Sequence, residues 1–193
     1  MTIETPAVGA LPVRMGLSRR IRRFAQSRSG LSAVEFALIL PVMVGLFFGG
    51  TELSDGLTIS RKVTHITSSL SDLITQSKTI TDADMANILD AAASVITPYS
   101  NNLLKIKVTQ VKIDANSVAT VSWSDAQNDT ALTPGSPISI PAALRTPSSY
   151  LITAEVHYAY TPTVGYILTG TYDLTDKFYL RPRLSDSITR TAS

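Results

Sequence analysis

The hydrophobic pattern of the chain changes character twice. From Phe36 to Thr51 there is no charged side chain. Counted from Leu31, the apolar run is about twenty residues, the length a helix needs to cross roughly 30 Å of hydrocarbon. It predicts one membrane span over residues 31–53. A core helix of a soluble domain is the competing reading, but so long an apolar run with basic residues on one side only is uncommon there. Past Glu52 the period turns helical, with Ile59, Val63, Ile66, Leu70 and Leu73 at spacings of four, three, four and three. That stripe suits a helix laid on its own domain as well as a seam shared with partner helices. The stretch TDADMANILDAAASVITP then places Thr81 and Asp84 as a capping box and runs through Met85, Ile88, Leu89, Ala92 and Ile96 to Pro98. It predicts a second helix, or the first one resumed after a break near Lys78, so residues 54–97 form a helical region.

Beyond Pro98 the period falls to two. LLKIKVTQVKID alternates at Leu104, Ile106 and Val108 and then shifts phase to Val111 and Ile113, which predicts a strand bulged near Gln110. DANS supplies a turn, and Ala119, Val121 and Trp123 give the apolar face of a second strand, completing a hairpin. Residues 125–149, rich in Pro, Ser, Thr and Asn, form a long loop. Ile152, Ala154, Val156, Tyr158 and Tyr160 line one side of the clearest strand, and DKFYLRPRL predicts an edge strand because Pro182 cannot donate to a ladder. The expected fold class is α+β: a long amino-terminal transmembrane helix, an amphipathic helical continuation, and a small antiparallel β domain over 98–193.

Charge adds a direction to this outline. The 193 residues carry a formal net charge of only +2. Yet residues 1–30 hold Arg14, Arg19, Arg20, Arg22, Arg23 and Arg28 against the single acid Glu4. Basic residues beside a span stay on the cytoplasmic side. Residues 1–30 therefore read as a basic cytoplasmic leader, with Met1 to Ala10 as its flexible start, and everything after Glu52 is expected across the membrane. A nucleic-acid binder would carry its basic face on the folded domain, so no nucleic-acid partner is expected.

Candidate chemistry is sparse. With no cysteine, disulfides, thiolate metal sites and cysteine nucleophiles are excluded. There is no G-x-S-x-G elbow, P-loop, G-x-G-x-x-G or H-E-x-x-H. His65 and His157 stand alone, on a helix and on the outer face of a strand. Asp82 and Asp84 suit a helix start better than a cation, since no third ligand is near. Tyr158, Tyr160, Tyr166, Tyr172 and Tyr179 read as sheet packing. We expect no catalytic residues, no metal and no cofactor.

One residue stands out against this background: Glu35 is a carboxylate within the start of an apolar helix, where an acid is a functional signal by default. The stretch SGLSAVEFALILP, Ser29 to Pro41, resembles the processing and helix motif of type IV pilin-like proteins, and most closely the TadE/TadG-like family of Flp (tight adherence) pilus assembly. In that family a basic leader ends in glycine, a prepilin peptidase cuts after it, and a glutamate lies fifth in the mature chain before an aromatic residue. The resemblance implies that Gly30 ends the leader, Leu31 begins the mature chain, and Glu35 and Phe36 are its fifth and sixth residues. The EFAL-P pattern is present as Glu35, Phe36, Ala37, Leu38 and Pro41. Larger members carry a von Willebrand-like domain with a D-x-S-x-S motif, absent here, so the chain looks like the shorter TadE/TadF-type minor pseudopilin. Implied partners are the inner membrane, the prepilin peptidase, other pilins or pseudopilins and the Tad assembly machinery. The implied location is the bacterial inner membrane, single-pass, with a periplasmic carboxyl-terminal domain.

Physical reasoning fits these expectations. Once cleaved, Leu31 has a free α-amine, and Glu35 lies only about 6 Å further along the helix axis. The carboxylate sits near the interface and can pair with a neighbouring subunit's amine, setting helix register; a Glu that merely snorkels to the headgroups is the plain alternative. Gly45 and Gly49, four apart, form a small-residue face for helix approach. Pro41 leaves the carbonyl of Ala37 without its helical donor. Two rival readings exist: SRRIRRF as a twin-arginine export signal of a secreted protein, opposed by the lack of an A-x-A site directly after Gly50, and a plain membrane-anchored periplasmic binding domain.

Overall fold

The computed structural model describes residues 28–165 and 169–191, with side chains from Gly30 onward. Arg14, Arg19, Arg20, Arg22, Arg23 and the start of the leader lie outside the described residues, as does Tyr166. The chain divides into two compact units, residues 1–47 and 48–193.

Helix α1 spans Arg28–Thr75 and contains Pro41. Strand β1 (Thr79–Thr81) leads directly into helix α2 (Asp82–Ser94). Four longer strands follow: β2 (Leu104–Ile113), β3 (Ala119–Gln127), β4 (Ser149–Tyr160) and β5 (Tyr172–Leu180). They make an antiparallel sheet in the order β3-β2-β4-β5. Strand β6 (Thr189–Thr191) pairs in parallel with β1. The fold is α+β, and the helix breaks where expected, between Thr75 and Lys78.

In the second unit, the buried stripe of α1 is Ile59, Val63, Ile66, Leu70 and Ile74. These side chains share one core with Met85 and Leu89 of α2 and with Ile106, Val108, Ile152, Ala154 and Val156 of the sheet. Of the two readings left open for this stripe, the helix lies on its own domain. Leu73 departs from the expected pattern. At 50% exposure it faces out, and Ile74 takes the buried position, because after Leu70 a spacing of four, not three, keeps a straight helix on the same face. Helix α2 begins as its capping box requires: Thr81 Oγ1 accepts from the Asp84 amide at 3.1 Å, and Asp84 Oδ2 accepts from the Thr81 amide at 3.1 Å. Lys62 of α1 donates to the carbonyls of Val95 and Thr97 at 2.8 and 2.7 Å, satisfying acceptors left free where α2 ends.

The hairpin β2–β3 turns at Asp114, whose Oδ1 accepts from the amides of Asn116 and Val118 at 2.8 Å each. The phase shift within β2 has another origin than the expected bulge in that strand. Strand β2 pairs with β4 without interruption from Leu104↔Tyr158 to Ile113↔Ser149. What changes is the covered face: Leu104, Ile106 and Val108 meet the helices, while Val111 and Ile113 point the other way into a second cluster with Ile140 and Leu151. The irregularity is in β3. Gln110 opposes Trp123 and Val111 opposes Val121, so Ser122 is the extra residue. Ala119, Val121 and Trp123 therefore do not share a face as their spacing suggests: Ala119 belongs to the second cluster and Trp123 to the main core. Strand β3 also continues to Gln127, and the connection that follows, residues 128–148, covers the outer sheet face with Ile138, Ile140 and Leu144. Strand β5 is at the edge as expected, but it runs earlier in the chain than DKFYLRPRL, over Tyr172–Leu180, so Pro182 lies past its end instead of within it.

The segment after β5 closes the core. Ile188 is buried, its amide donates to Gln110 Oε1 at 2.7 Å, and its carbonyl accepts from Trp123 Nε1 at 3.0 Å. Arg190 forks onto Asp125 through two bonds of 2.9 Å and reaches Asp82 at 2.8 Å.

Candidate functional site

The amino-terminal half of α1 carries the residues that the sequence singles out. Gly30 and Leu31 lie on α1, close to Arg28, the first of the described residues. Leu31, Glu35 and Phe36 are exposed, and so are the apolar side chains that follow, with Leu38 at 72% and Leu46 at 71%. Such exposure all round a helix suits lipid and not water. Described residues contain one helix long and apolar enough to cross a membrane. Pro41 sits inside the uninterrupted helix, and Gly45 and Gly49 are half-buried positions one turn apart. Among the described residues, the carboxylate of Glu35 has no hydrogen-bond or ion-pair partner. An exposed carboxylate on an apolar helix, four residues past Leu31, is a group whose partner must come from outside that helix.

A second carboxylate was not legible in the sequence. Glu52, the next charge after Glu35, looks like the polar end of the span, yet it is 4% exposed. Its Oε1 accepts from the amides of Val164 and Gly165, at 2.9 and 2.7 Å, a pair of successive N–H groups that cradles an anion. Its own carbonyl accepts from the Tyr160 hydroxyl at 2.9 Å. Burial first, and then the nearby Asp55 and Glu52 carboxylates, hold that hydroxyl above its ordinary pKa, so it remains a donor. Gly56 allows the Tyr160 ring to lie against α1, since a Cβ there would stand 3.3 Å from the ring. The outcome is a groove of about 260 Å³ between Leu53, Gly56 and Leu57 of α1 and Tyr160, Tyr172 and Leu174 of the sheet. The one signal in the sequence is that Glu52 is the sole charge between Glu35 and Asp55; its partners lie more than a hundred positions away.

The outer sheet face holds the other concentration of titratable groups. His157 contacts Glu155 at 3.1 Å, Asp173 at 3.4 Å and Thr175 at 2.8 Å, Lys177 pairs with Glu155 at 3.1 Å, and Lys107 pairs with Asp129 at 2.8 Å. Burial pushes the Glu155 carboxyl up, but Lys177 and His157 outweigh it and hold it below the usual carboxylate value. The Lys107 ammonium lowers Asp129 likewise. Glu155 and Lys177 oppose each other directly across β4 and β5, as cross-strand charges do in many sheets, and Asp129 lies just past the end of β3. His65 lies exposed on α1, away from this group. Asp82 and Asp84 sit at the start of α2, paired with Arg190 and within the capping box respectively. Among the described residues there is no cluster of three side chains able to hold a metal ion.

Residues 30–65 match the family model described as TadE-like protein. The match opens at Gly30, takes in Glu35, Pro41, Gly45, Gly49 and Glu52, and ends inside the buried stripe of α1. The matched segment lies on the helix that is long and apolar enough to cross a membrane. No curated protein and no solved structure matches the chain.

Proposed function

We propose that this chain is a minor pseudopilin of a Flp (Tad) pilus system, held in the bacterial inner membrane by residues 31–53 of α1. Arg19, Arg20, Arg22, Arg23 and Arg28 keep the leader in the cytoplasm, which sends the β domain to the periplasm. The prepilin peptidase removes residues 1–30 at the Gly30–Leu31 bond. The new amine and Glu35 then serve helix packing: the carboxylate of one subunit pairs with the amine of the next, while Phe36, Pro41, Gly45 and Gly49 shape the approach of neighbouring helices. The protein acts by packing with other pilins and the Tad machinery and carries out no catalysis.

The observation that carries this reading is the TadE-like match beginning at Gly30, on a stretch of α1, residues 31–51, whose apolar side chains are exposed and whose one acid, Glu35, lacks a partner among the described residues. Mature mass tests it. Loss of about thirty residues is expected in cells with the peptidase, against about fifty for an export signal and none for a plain anchor. Gly30→Leu abolishes the shift. Glu35→Ala inserts and is cleaved but fails to co-purify with other pilus components, since an unpaired amine in a dry helix bundle carries a penalty of about 3–5 kcal/mol. Normal co-purification of that variant would reduce Glu35 to a snorkelling residue.

A further inference from the structure

We infer that the end of the β domain beside Glu52 is a lipid-resting lip, formed by Leu53, Val164 and Tyr172 and reaching Leu57 at its outer limit. The inference rests on the reading of residues 31–53 as a membrane span, whose uncharged part ends at Thr51 and whose last two residues enter the headgroup region. Eight large hydrophobic side chains are exposed among described residues 52–191, and four of them are these. They come from three separate pieces of chain, and the hydrogen bonds of Glu52 bring those pieces to one level. Val164 follows because its amide and that of Gly165 are bonded to Glu52 Oε1. Tyr172 follows because it pairs with Tyr160, whose hydroxyl is bonded to the Glu52 carbonyl.

That level is the first residue past the uncharged run. Each face of a bilayer offers about 5–8 Å of headgroup region, the difference between roughly 40–45 Å overall and roughly 30 Å of hydrocarbon shared over two sides. Leu53 lies about 3 Å past Thr51 along the helix and Leu57 about 9 Å. The apolar groove between Leu53, Leu57 and Tyr172 thus opens into the zone where tyrosine rings and aliphatic side chains are favoured together. Continuity with the exposed apolar helix selects lipid as the occupant. Charge selects the kind: apart from the inward-turned Glu52, the acids nearest the lip in sequence are Asp55 and Asp173, which give no attraction for anionic headgroups and limit immersion. A zwitterionic surface is sufficient.

The chain has no cysteine, so single labelling sites are made directly. The full chain is placed in nanodiscs of phosphatidylcholine, with and without phosphatidylglycerol, after Leu53→Cys, Leu57→Cys, Val164→Cys or Tyr172→Cys and attachment of an environment-sensitive fluorophore. Val118→Cys, on the β2–β3 turn, reports the aqueous side, and Leu46→Cys reports the span. Labels at 53, 164 and 172 are expected to be quenched several-fold more by a spin label near the lipid headgroup than by iodide, equally in both lipid mixtures. Position 57 is intermediate and position 118 shows the reverse. If Leu46→Cys is quenched by a deep lipid label while positions 164 and 172 behave like 118, the lip is overturned and the span stands. If Leu46→Cys is not quenched by lipid, the span reading fails and the lip with it. Protection at 164 and 172 that persists in detergent and rises with protein concentration means a second copy covers this face, which also overturns the proposal.

Discussion

Residues 31–51 and 52–75 belong to one hydrogen-bonded helix, yet they obey different solvents. In the first stretch the apolar side chains point in every direction and stay exposed; in the second, Ile66 and Leu70 are 0% exposed while Arg61, Thr64 and His65 face out. Backbone geometry is common to both, so it cannot explain the contrast. The side-chain pattern does: apolar all round demands an apolar surround, whereas a stripe needs one apolar wall and water opposite. One helix thus carries two side-chain patterns on one backbone conformation, and Glu52, where the pattern changes, is turned inward onto two backbone amides.

The contrast is broken most severely from the buried side. Leu70→Ala should destabilise the domain by about 2–5 kcal/mol, and Leu38→Ala by less than about 0.5 kcal/mol. Denaturant unfolding of the detergent-solubilised chain, followed by the fluorescence of the single tryptophan, Trp123, reads both; equal effects would erase the distinction. A charge attacks the other half. Val44→Lys places an ammonium in the apolar stretch at about 3 kcal/mol on insertion scales, and carbonate extraction should then release protein that the wild type retains. Lys at exposed Thr64 should leave retention unchanged.

Smaller changes sharpen the picture of what holds the buried half in place. Arg190→Ala removes the fork onto Asp125 and the contact with Asp82, a loss of about 2–3 kcal/mol in the same unfolding experiment. Thr81→Ala removes the cap of α2 for about 1 kcal/mol. The least effect is expected from acid. Glu155 and Asp129 have folded-state pKa values below their ordinary ones. Their contribution is therefore full above the ordinary carboxylate range and is lost as pH falls through the lowered values. Unfolding midpoints should decline through that acidic window, and less steeply in Lys107→Met, which removes the cause of the Asp129 shift.

Elements whose signal is local were legible in the sequence. The capping box of Thr81 and Asp84, the turn at Asp114 and the edge character of the strand near Pro182 each depend on neighbours a few positions apart. The missed features depend on distance or parity. Strands β1 and β6 are three residues each, too short for any period, and their pairing joins Thr79 to Thr189. The bulge at Ser122 moves Trp123 to the opposite face from Val121, but alternation read along one strand cannot reveal an extra residue that shows only against its partner. The phase shift in β2 was visible and its cause was not, because a strand covered on different faces along its length looks like a bulged one. The inward turn of Glu52 was hidden for a related reason: a charge ending an apolar run is ordinarily solvated, and the amides that receive it come from residues 164 and 165.

Strand β6 follows every other described element in chain order, yet Ile188 sits inside the core and Arg190 joins α2 to β3. A ribosome delivers the helices and the sheet first and the residues that fasten them afterwards. Until residues 188–191 emerge, Trp123 has no acceptor for its indole N–H, and β1 has no parallel mate. The contacts that fasten the helices to the sheet are thus among the last of the described ones that chain order makes possible.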